Sequence, residues 1–257
     1  MLAKERQNLI CELLKKNGSV ETAKLAELFD ISVETIRKDL IILEKQNMIL
    51  KIHGGAIAKA ELKPKKELLV RCEENNSKKR SLALKAMEFI SEGDIIGIDE
   101  GSTAIIFAEA LKEKFSNLTI VTYSLDVMNI LCEGDNFELV LCGGNYRKDE
   151  RIFCGKQTLD TLGNMHIQKA FVFPTAISLD YGICGYDDNI LQLQDKLIKA
   201  ADTVYMLADS EKFEKNAFRK LCDNDEKFNY ITDDELNLEI KKAYEEKNIK
   251  IFMGGKR

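Results

Sequence analysis

Tryptophan is absent from this 257-residue chain, proline and histidine occur twice each, and the seven cysteines form no C-x-x-C pair. Each shortage removes a class of reading. Cysteines at 11, 72, 132, 142, 154, 184 and 222 are odd in number, so they do not all pair within one chain, and their spacing fits no zinc-ligand pattern. The expectation is a reducing compartment in which the thiols act as small apolar side chains, without metal or cofactor. Cys142 and Cys154 flank a glycine loop, but the sequence offers no evident activating base for a redox role. No apolar run is long enough to span a membrane, and the opening MLAKERQNLICELLKK is charged throughout rather than built like a signal peptide. A soluble, cytoplasmic protein with no membrane partner is expected. Internal repeats and low-complexity segments are missing as well.

What is present divides unevenly along the chain. Hydrophobic residues make up 45%, and the length suits two domains with substantial cores. The net charge of −5 hides an asymmetry, because residues 1–66 carry 13 Lys plus Arg against 9 Asp plus Glu, whereas residues 67–257 carry 25 against 34. An acidic larger part is repelled by a phosphate backbone, so sensing or assembly suits it better than DNA contact. The charged run ELKPKKE holds Pro64, which removes a backbone donor among mutually repelling lysines and reads as a linker. The expected organisation is a domain over 1–60, a linker over 61–76 and a second domain over 77–257.

In the basic part, Leu9, Ile10, Leu13 and Leu14 predict a helix stopping at Asn17-Gly18, and Ala23, Leu25, Ala26, Leu28 and Phe29 predict a second. After the turn Asp30-Ile31-Ser32 comes a third. At about 100° per residue, Val33, Ile36, Leu40 and Leu43 gather on a core side, and Glu34, Arg37, Lys38, Ile41 and Lys45 fall opposite. Ser32 is placed to cap this helix by accepting from the N–H of Glu34 or Thr35, and Glu34 suits its positive end. Leu50 and Ile52 then alternate with Lys51 and His53 before Gly54-Gly55, a dipeptide that a two-residue hairpin turn accepts. Three helices and a basic ribbon make a winged helix-turn-helix, shaped to enter a DNA groove. An exposed basic helix face is usually only solvated, and similar geometry serves protein-binding modules, so the pattern alone leaves DNA binding open.

From Asp94 onward, apolar runs at 95–98, 118–122, 137–141, 170–173, 204–208 and 230–231 alternate with helical patterns, which predicts an α/β domain with a mostly parallel sheet. Ligands of such sheets sit beyond the carboxyl ends of the strands. Four segments fall there: Asp99-Glu100-Gly101-Ser102-Thr103, Thr122-Tyr123-Ser124, Gly143-Gly144 and Asp209-Ser210-Glu211-Lys212. Backbone N–H groups and hydroxyls at Gly101, Ser102 and Thr103 suit an anion, and Lys212 adds a point charge. Carboxylates at Asp99 and Glu100 repel phosphate and suit sugar hydroxyls, so a phosphorylated sugar answers both demands.

The segment SVETIRKDLIILEKQNMILKIHGGA resembles the signature of the DeoR family of bacterial transcription regulators. Further on, IGIDEGSTA, IVTYSLDVMN, LVLCGGNYRKD, FCGKQTLDTL, KAFVFPTAISLDYG and YMLADSEKF resemble the DeoR-type sensor domain in order. The resemblance implies that Thr35, Arg37 and Lys38 face double-stranded operator DNA, with Ser32 near a phosphate and Lys51 and His53 on the wing. It implies a Rossmann-like sensor fold similar to ribose-phosphate isomerases. Effector contacts are implied at Asp99, Gly101, Ser102, Thr103, Ser124, Gly144 and Lys212, and the strand-end reading adds Glu100 and Tyr123 to the candidates. The implied effector is a phosphorylated intermediate of sugar metabolism that changes operator binding, in a homo-oligomer whose paired domains double the DNA contacts.

Three departures stand out. Phe173-Pro174-Thr175-Ala176-Ile177 replaces a family pattern of Gly-Ala-Asp-Gly-Ile, Gln192 stands where Glu is common, and Gly182 to Tyr186 is unlike the usual Gly-Leu-Thr. Two alternatives remain beside the sensor: a module that only oligomerises around a vestigial pocket, and a phosphosugar isomerase. Isomerisation requires a base near the carbonyl carbon and a group to stabilise the enediolate, and residues 173–177 supply neither. His166 follows Gly163-Asn164-Met165 and reads as an ordinary surface histidine.

Overall fold

The computed structural model describes residues 3–17, 19–45, 48–52, 54–58, 66–133 and 137–255. Its N-terminal domain runs α1 (Ala3–Asn17), β1 (Ser19–Glu21), α2 (Thr22–Phe29), α3 (Val33–Lys45), β2 (Ile49–Ile52) and β3 (Gly55–Ala58). Ile10, Leu14, Val20, Leu25, Ile36, Leu40, Leu43 and Ile49 form one buried core. Helix α2 closes on Asp30 in the left-handed region (φ 51°), and α3 starts where the Thr35 N–H donates to Ser32 Oγ at 3.2 Å.

Two expectations change here. Val33 is 40% exposed, so it is not a core residue, and Asp39 is buried in its stead. Helical periodicity gives a direction and not a depth: Asp39, three residues after Ile36 and four before Leu43, shares their side of the helix. Its carboxylate accepts from Arg6 Nε at 2.6 Å and from Gln7 Nε2 at 2.9 Å. The wing also gains a strand, since the sheet order is β1-β3-β2. Pairing of Ile52 with Gly55 sets the turn one residue earlier than Gly54-Gly55. A Cβ on Gly55 would stand 2.0 Å from the Val20 carbonyl oxygen, so that glycine serves the close approach of β1.

The linker expected over 61–76 is partly structured. Residues 68–73 form α4 (Leu68–Glu73), which packs against a helix of the second domain because its Leu68 is buried. After it come α5 (Asn76–Ala86), β4 (Ile95–Ile98), α6 (Ser102–Lys114), β5 (Thr119–Thr122), α7 (Leu125–Leu131), β6 (Glu138–Leu141), β7 (Asn145–Arg147), β8 (Ile152–Cys154), α8 (Lys156–Gly163) and β9 (Ile167–Val172). The chain continues through β10 (Ala176–Ser178), β11 (Gly182–Gly185), α9 (Asp188–Lys199), β12 (Ala201–Leu207), β13 (Arg219–Cys222), β14 (Phe228–Thr232), α10 (Leu238–Glu245) and β15 (Lys250–Met253).

A seven-stranded parallel sheet in the order β15-β14-β12-β9-β4-β5-β6 organises this domain. Both faces are covered. Val204, Met206, Leu193 and Leu197 pack on one side, and Phe171, Tyr205, Phe107 and Ile98 on the other, so successive strand residues serve different cores. Gly97 lets α9 close onto β4, where a Cβ would come within 2.6 Å of Leu197 Cδ1. Not foreseen are β15, the small antiparallel sheet β10-β11-β13 and the β7-β8 pair. Strands β7, β8 and β10 have only three residues each, too few for a periodic signal.

Candidate functional site

Two surfaces hold the residues of interest. On the N-terminal domain, Arg37 and Lys38 project from α3 into solvent, and the Arg37 guanidinium lies 3.4 Å from Glu34 with both side chains more than 60% exposed. So exposed a pair contributes little and is readily exchanged for another anion. The Ser32 and Thr35 hydroxyls are 2.8 Å apart at the start of the same helix. Lys51 is half-exposed, and its backbone N–H donates to Glu44 Oε1 at 3.0 Å, tying the wing to α3. His53 lies outside the described residues.

The second surface follows from the sheet order. Strand β4 lies mid-sheet, with β5 and β6 on one side and β9, β12, β14 and β15 on the other, so a crevice opens beyond β4 and β9 where the build direction reverses. An inner lobe of about 60 Å³ there is lined by Arg71, Glu100, Gly101, Ser102, Thr103, Phe173, Thr175 and Lys212. An outer lobe of about 290 Å³ continues it along Arg71, Lys79, Ser102, Thr175, Tyr186, Asp209 and Lys212. Helix α6 enters the crevice with no acidic residue in its first turn, and the first N–H groups of any helix lack intrahelical partners. The positive end of α6 favours an anion at Ser102 and Thr103. Gly101, at φ 103°, makes the turn that aims the helix there.

Two cations of the crevice donate to backbone carbonyls. Lys212 Nζ donates to the Pro174 oxygen at 3.1 Å, and Lys79 Nζ donates to the Glu74 oxygen at 2.6 Å and also to the Arg71 oxygen. Burial, then the Lys212 charge, lowers the Lys79 ammonium from its usual range. Glu211, at the rim, is taken up by Lys78 at 2.9 Å and by Asn75 at 3.1 Å. Lys79, Lys212 and Arg71 thus share the crevice with Glu100 and Asp209.

Of the nine effector candidates, the structure gathers Glu100, Gly101, Ser102, Thr103 and Lys212. Asp99, Tyr123, Ser124 and Gly144 do not line the crevice. Asp99 is wholly buried, where it accepts from Phe173 N–H at 2.9 Å, from Gln194 Nε2 at 2.8 Å and from the Tyr123 hydroxyl. Burial, then the neighbouring Glu100 charge, raises the Asp99 carboxyl to about 6. The Asp99, Tyr123 and Gln194 side chains therefore brace the strand ends from beneath. Ser124 caps α7 by accepting from Val127 N–H at 3.4 Å. A Cβ on Gly144 would meet Thr158 Oγ1 at 2.2 Å, which gives that glycine a packing reason.

Gln192 is exposed. His166 is a surface residue with Nε2 2.9 Å from Asp202. None of the seven cysteines is in a disulfide, and burial pushes the thiols of Cys142 and Cys184 up to about 11, away from thiolate chemistry. The sequence reading missed Arg71 and Lys79. Arg71 fell within the expected linker, and Lys79 belongs to a helix before the first strand, so neither sits at a strand end where ligand contacts were sought.

An exposed basic recognition helix joined to an α/β domain with a cationic crevice at its switch point defines a class of two-domain regulators. The chain matches the DeoR-like helix-turn-helix domain over residues 6–61 and the DeoR C terminal sensor domain over residues 74–234. It belongs to the DeoR family of transcriptional regulators. It is 33% identical over 213 residues to the glycerol-3-phosphate regulon repressor of Escherichia coli (strain K12), covering 83% of this chain and 84% of that one. It is 30% identical over 218 residues to the L-fucose operon activator of Haemophilus influenzae, covering 85% and 87%. Among solved structures, ribose 5-phosphate isomerase A from Neisseria gonorrhoeae aligns over 52% of each chain at 21% identity with a TM-score of 0.40, a likeness too slight to bear on the fold.

Proposed function

We propose that the protein represses a sugar-metabolism operon and that a phosphorylated sugar bound in the crevice beyond β4 and β9 controls its grip on the operator. The observation that carries this reading is the convergence of α6's anion-favouring start with Lys212 in one crevice, in a chain that also carries a winged helix-turn-helix. Ser102, Thr103 and the Gly101 turn take the phosphate, Lys212 neutralises it, and Glu100 and Asp209 face the sugar hydroxyls. On the DNA side, Arg37 and Lys38 enter the major groove, Ser32 and Thr35 sit at the helix start near a phosphate, and Lys51 rides on the wing. Asp99, Tyr123, Ser124 and Gly144 support the crevice without touching the ligand. The protein works in the cytoplasm as a homo-oligomer, because a single winged domain holds DNA only modestly and pairing raises its effective concentration.

The crevice is read as a binding site and not as a catalytic one, in line with relatives named as transcriptional regulators. The effector shifts a two-state equilibrium by binding one operator-affinity state better than the other. Fluorescence anisotropy with a duplex from the protein's own promoter region, titrated with sugar phosphates, tests the whole scheme. Lys212→Ala is expected to keep operator affinity and to lose the effector response. Absence of association with that duplex at low ionic strength would sink the DNA reading. Normal duplex binding with no response to any sugar phosphate would favour a C-terminal domain that only oligomerises, and tighter duplex binding on adding effector would make the effector a co-repressor or mark an activator.

A further inference from the structure

Arg71 differs from the other crevice cations in where it comes from. Lys212 follows β12 and Lys79 lies in α5, but Arg71 belongs to α4, which begins at Leu68, a few residues after the segment arriving from the DNA-binding domain. It lines both lobes of the crevice. A Cβ on Gly101 would stand 3.3 Å from Arg71 Nη1, so the guanidinium lies over the loop that opens α6. Its other groups are engaged elsewhere: Nη2 donates to Glu150 and Nε to the Lys66 oxygen at 3.0 Å. Both ion-pair partners are largely buried, with 18% and 9% of their side chains exposed.

Helix α4 itself is lightly anchored. Leu68 is buried, but Leu69 is 76% exposed and Val70 43% exposed. Its polar ties are the Arg71–Glu150 pair and the Lys79 ammonium, which holds the carbonyl groups at its carboxyl end. A short helix fastened through a crevice cation is a segment whose position depends on what that cation binds.

We infer that Arg71 is an effector-binding residue whose guanidinium exchanges Glu150 for a phosphate monoester seated at Gly101 to Thr103, so that occupancy of the crevice moves α4 and the chain leading to the DNA-binding domain. This rests on the sugar-phosphate reading above. The exchange is chemically even-handed in geometry, since a guanidinium fork meets carboxylate and phosphate oxygens alike. It favours the ligand in charge, because a phosphate monoester carries close to two negative charges at neutral pH against one for the carboxylate. Glu150 then acts as a built-in competitor that occupies the cation when the crevice is empty.

The competition gives the two partners opposite signs, which a merely structural ion pair would not. Titration calorimetry on the full chain, with inorganic phosphate, glycerol 3-phosphate and hexose 6-phosphates as separate probes, measures it directly. At least one sugar phosphate is expected to bind the wild type more tightly than inorganic phosphate does. For that compound, Arg71→Ala should raise Kd tenfold or more, Arg71→Lys should recover part of the loss, and Glu150→Gln should lower Kd severalfold. The double variant should lose the gain of Glu150→Gln, which is the coupling a double-mutant cycle reads. In Arg71→Lys, the effector concentration needed for an operator response should rise with Kd.

The inference is overturned if the wild type binds and the Arg71 variants match it within twofold, or if Glu150→Gln weakens binding as Arg71→Ala does. It is overturned too if the gain of Glu150→Gln survives in the double variant. Should inorganic phosphate bind as tightly as every sugar phosphate, the site is a free-phosphate site and the phosphate-monoester inference is overturned. Should none of these probes bind the wild type, the sugar-phosphate reading fails and this inference with it.

Discussion

The recognition helix and the crevice both present positive charge, but they hold it in opposite ways. On α3, Arg37 is paired loosely with Glu34 at the surface, and Lys38 stands in solvent. In the crevice, Arg71 is bonded to Glu150 and a backbone oxygen, and Lys79 and Lys212 rest on carbonyls. An exposed cation gives up hydration and mobile counterions when it meets DNA, so its contribution is broad and falls with salt. A half-buried cation must leave a specific partner, so its contribution is selective and its geometry matters. One surface suits a long polyanion, and the other suits one small anion of defined shape.

The largest effect that would test this contrast comes from beneath the recognition helix. Asp39→Ala leaves the Arg6 charge buried without its carboxylate, at a cost of roughly 3 to 5 kcal/mol. Calorimetry of the full chain should show the N-terminal domain melting early, with operator binding lost and effector binding retained. A joint loss of both activities would mean the two domains are not separable. Next, Gly144→Ala forces a methyl against Thr158 Oγ1 and the Cys154 oxygen, which would lie at 2.2 and 2.7 Å, and should destabilise the C-terminal domain by about 1 to 3 kcal/mol. Operator affinity at temperatures where the variant stays folded should not change.

Smaller again, Arg37→Ala should weaken operator binding by about 1 kcal/mol and reduce the steepness of its log–log salt dependence by about 1. Titrations at several salt concentrations measure both, and an unaltered affinity would remove Arg37 from the interface. The finest test uses pH. The Asp99 carboxyl, at about 6 in the folded chain, lies above its ordinary value of 3.8, so its contribution to stability is full below pH 4 and is lost as pH rises through 6. Thermal melts of wild type and Asp99→Asn should therefore show any wild-type advantage shrinking between pH 4 and 6. A pH-independent difference would mean that Asp99 stays ionised in the folded protein.

The N-terminal domain was the more legible of the two. Ser32 caps α3, and Ile36, Leu40 and Leu43 are buried as their spacing predicts, because a helix stripe is written in local sequence. The misreadings there concern what lies opposite a side chain: Val33 has little to pack against, Asp39 has Arg6, and Gly55 has β1. In the C-terminal domain the strands of the central sheet up to β14 were visible as apolar runs, and the loop after β4 and the one after β12 do meet. The loops after β5 and β6 do not line the same crevice, because Tyr123 is turned to Asp99, Ser124 caps α7 and Gly144 packs on Thr158.

Local patterning by itself determined the capped recognition helix, the charge division between the two parts and the alternation of strands with helices. Each follows from residues close together in the chain. Only the tertiary structure decided that β4 lies mid-sheet beside β9, that Asp99 turns inward to brace the strand ends, and that Arg71 of the expected linker reaches the crevice. Those facts depend on which distant segments come to share a few ångströms of space, and the packing of the whole core sets that.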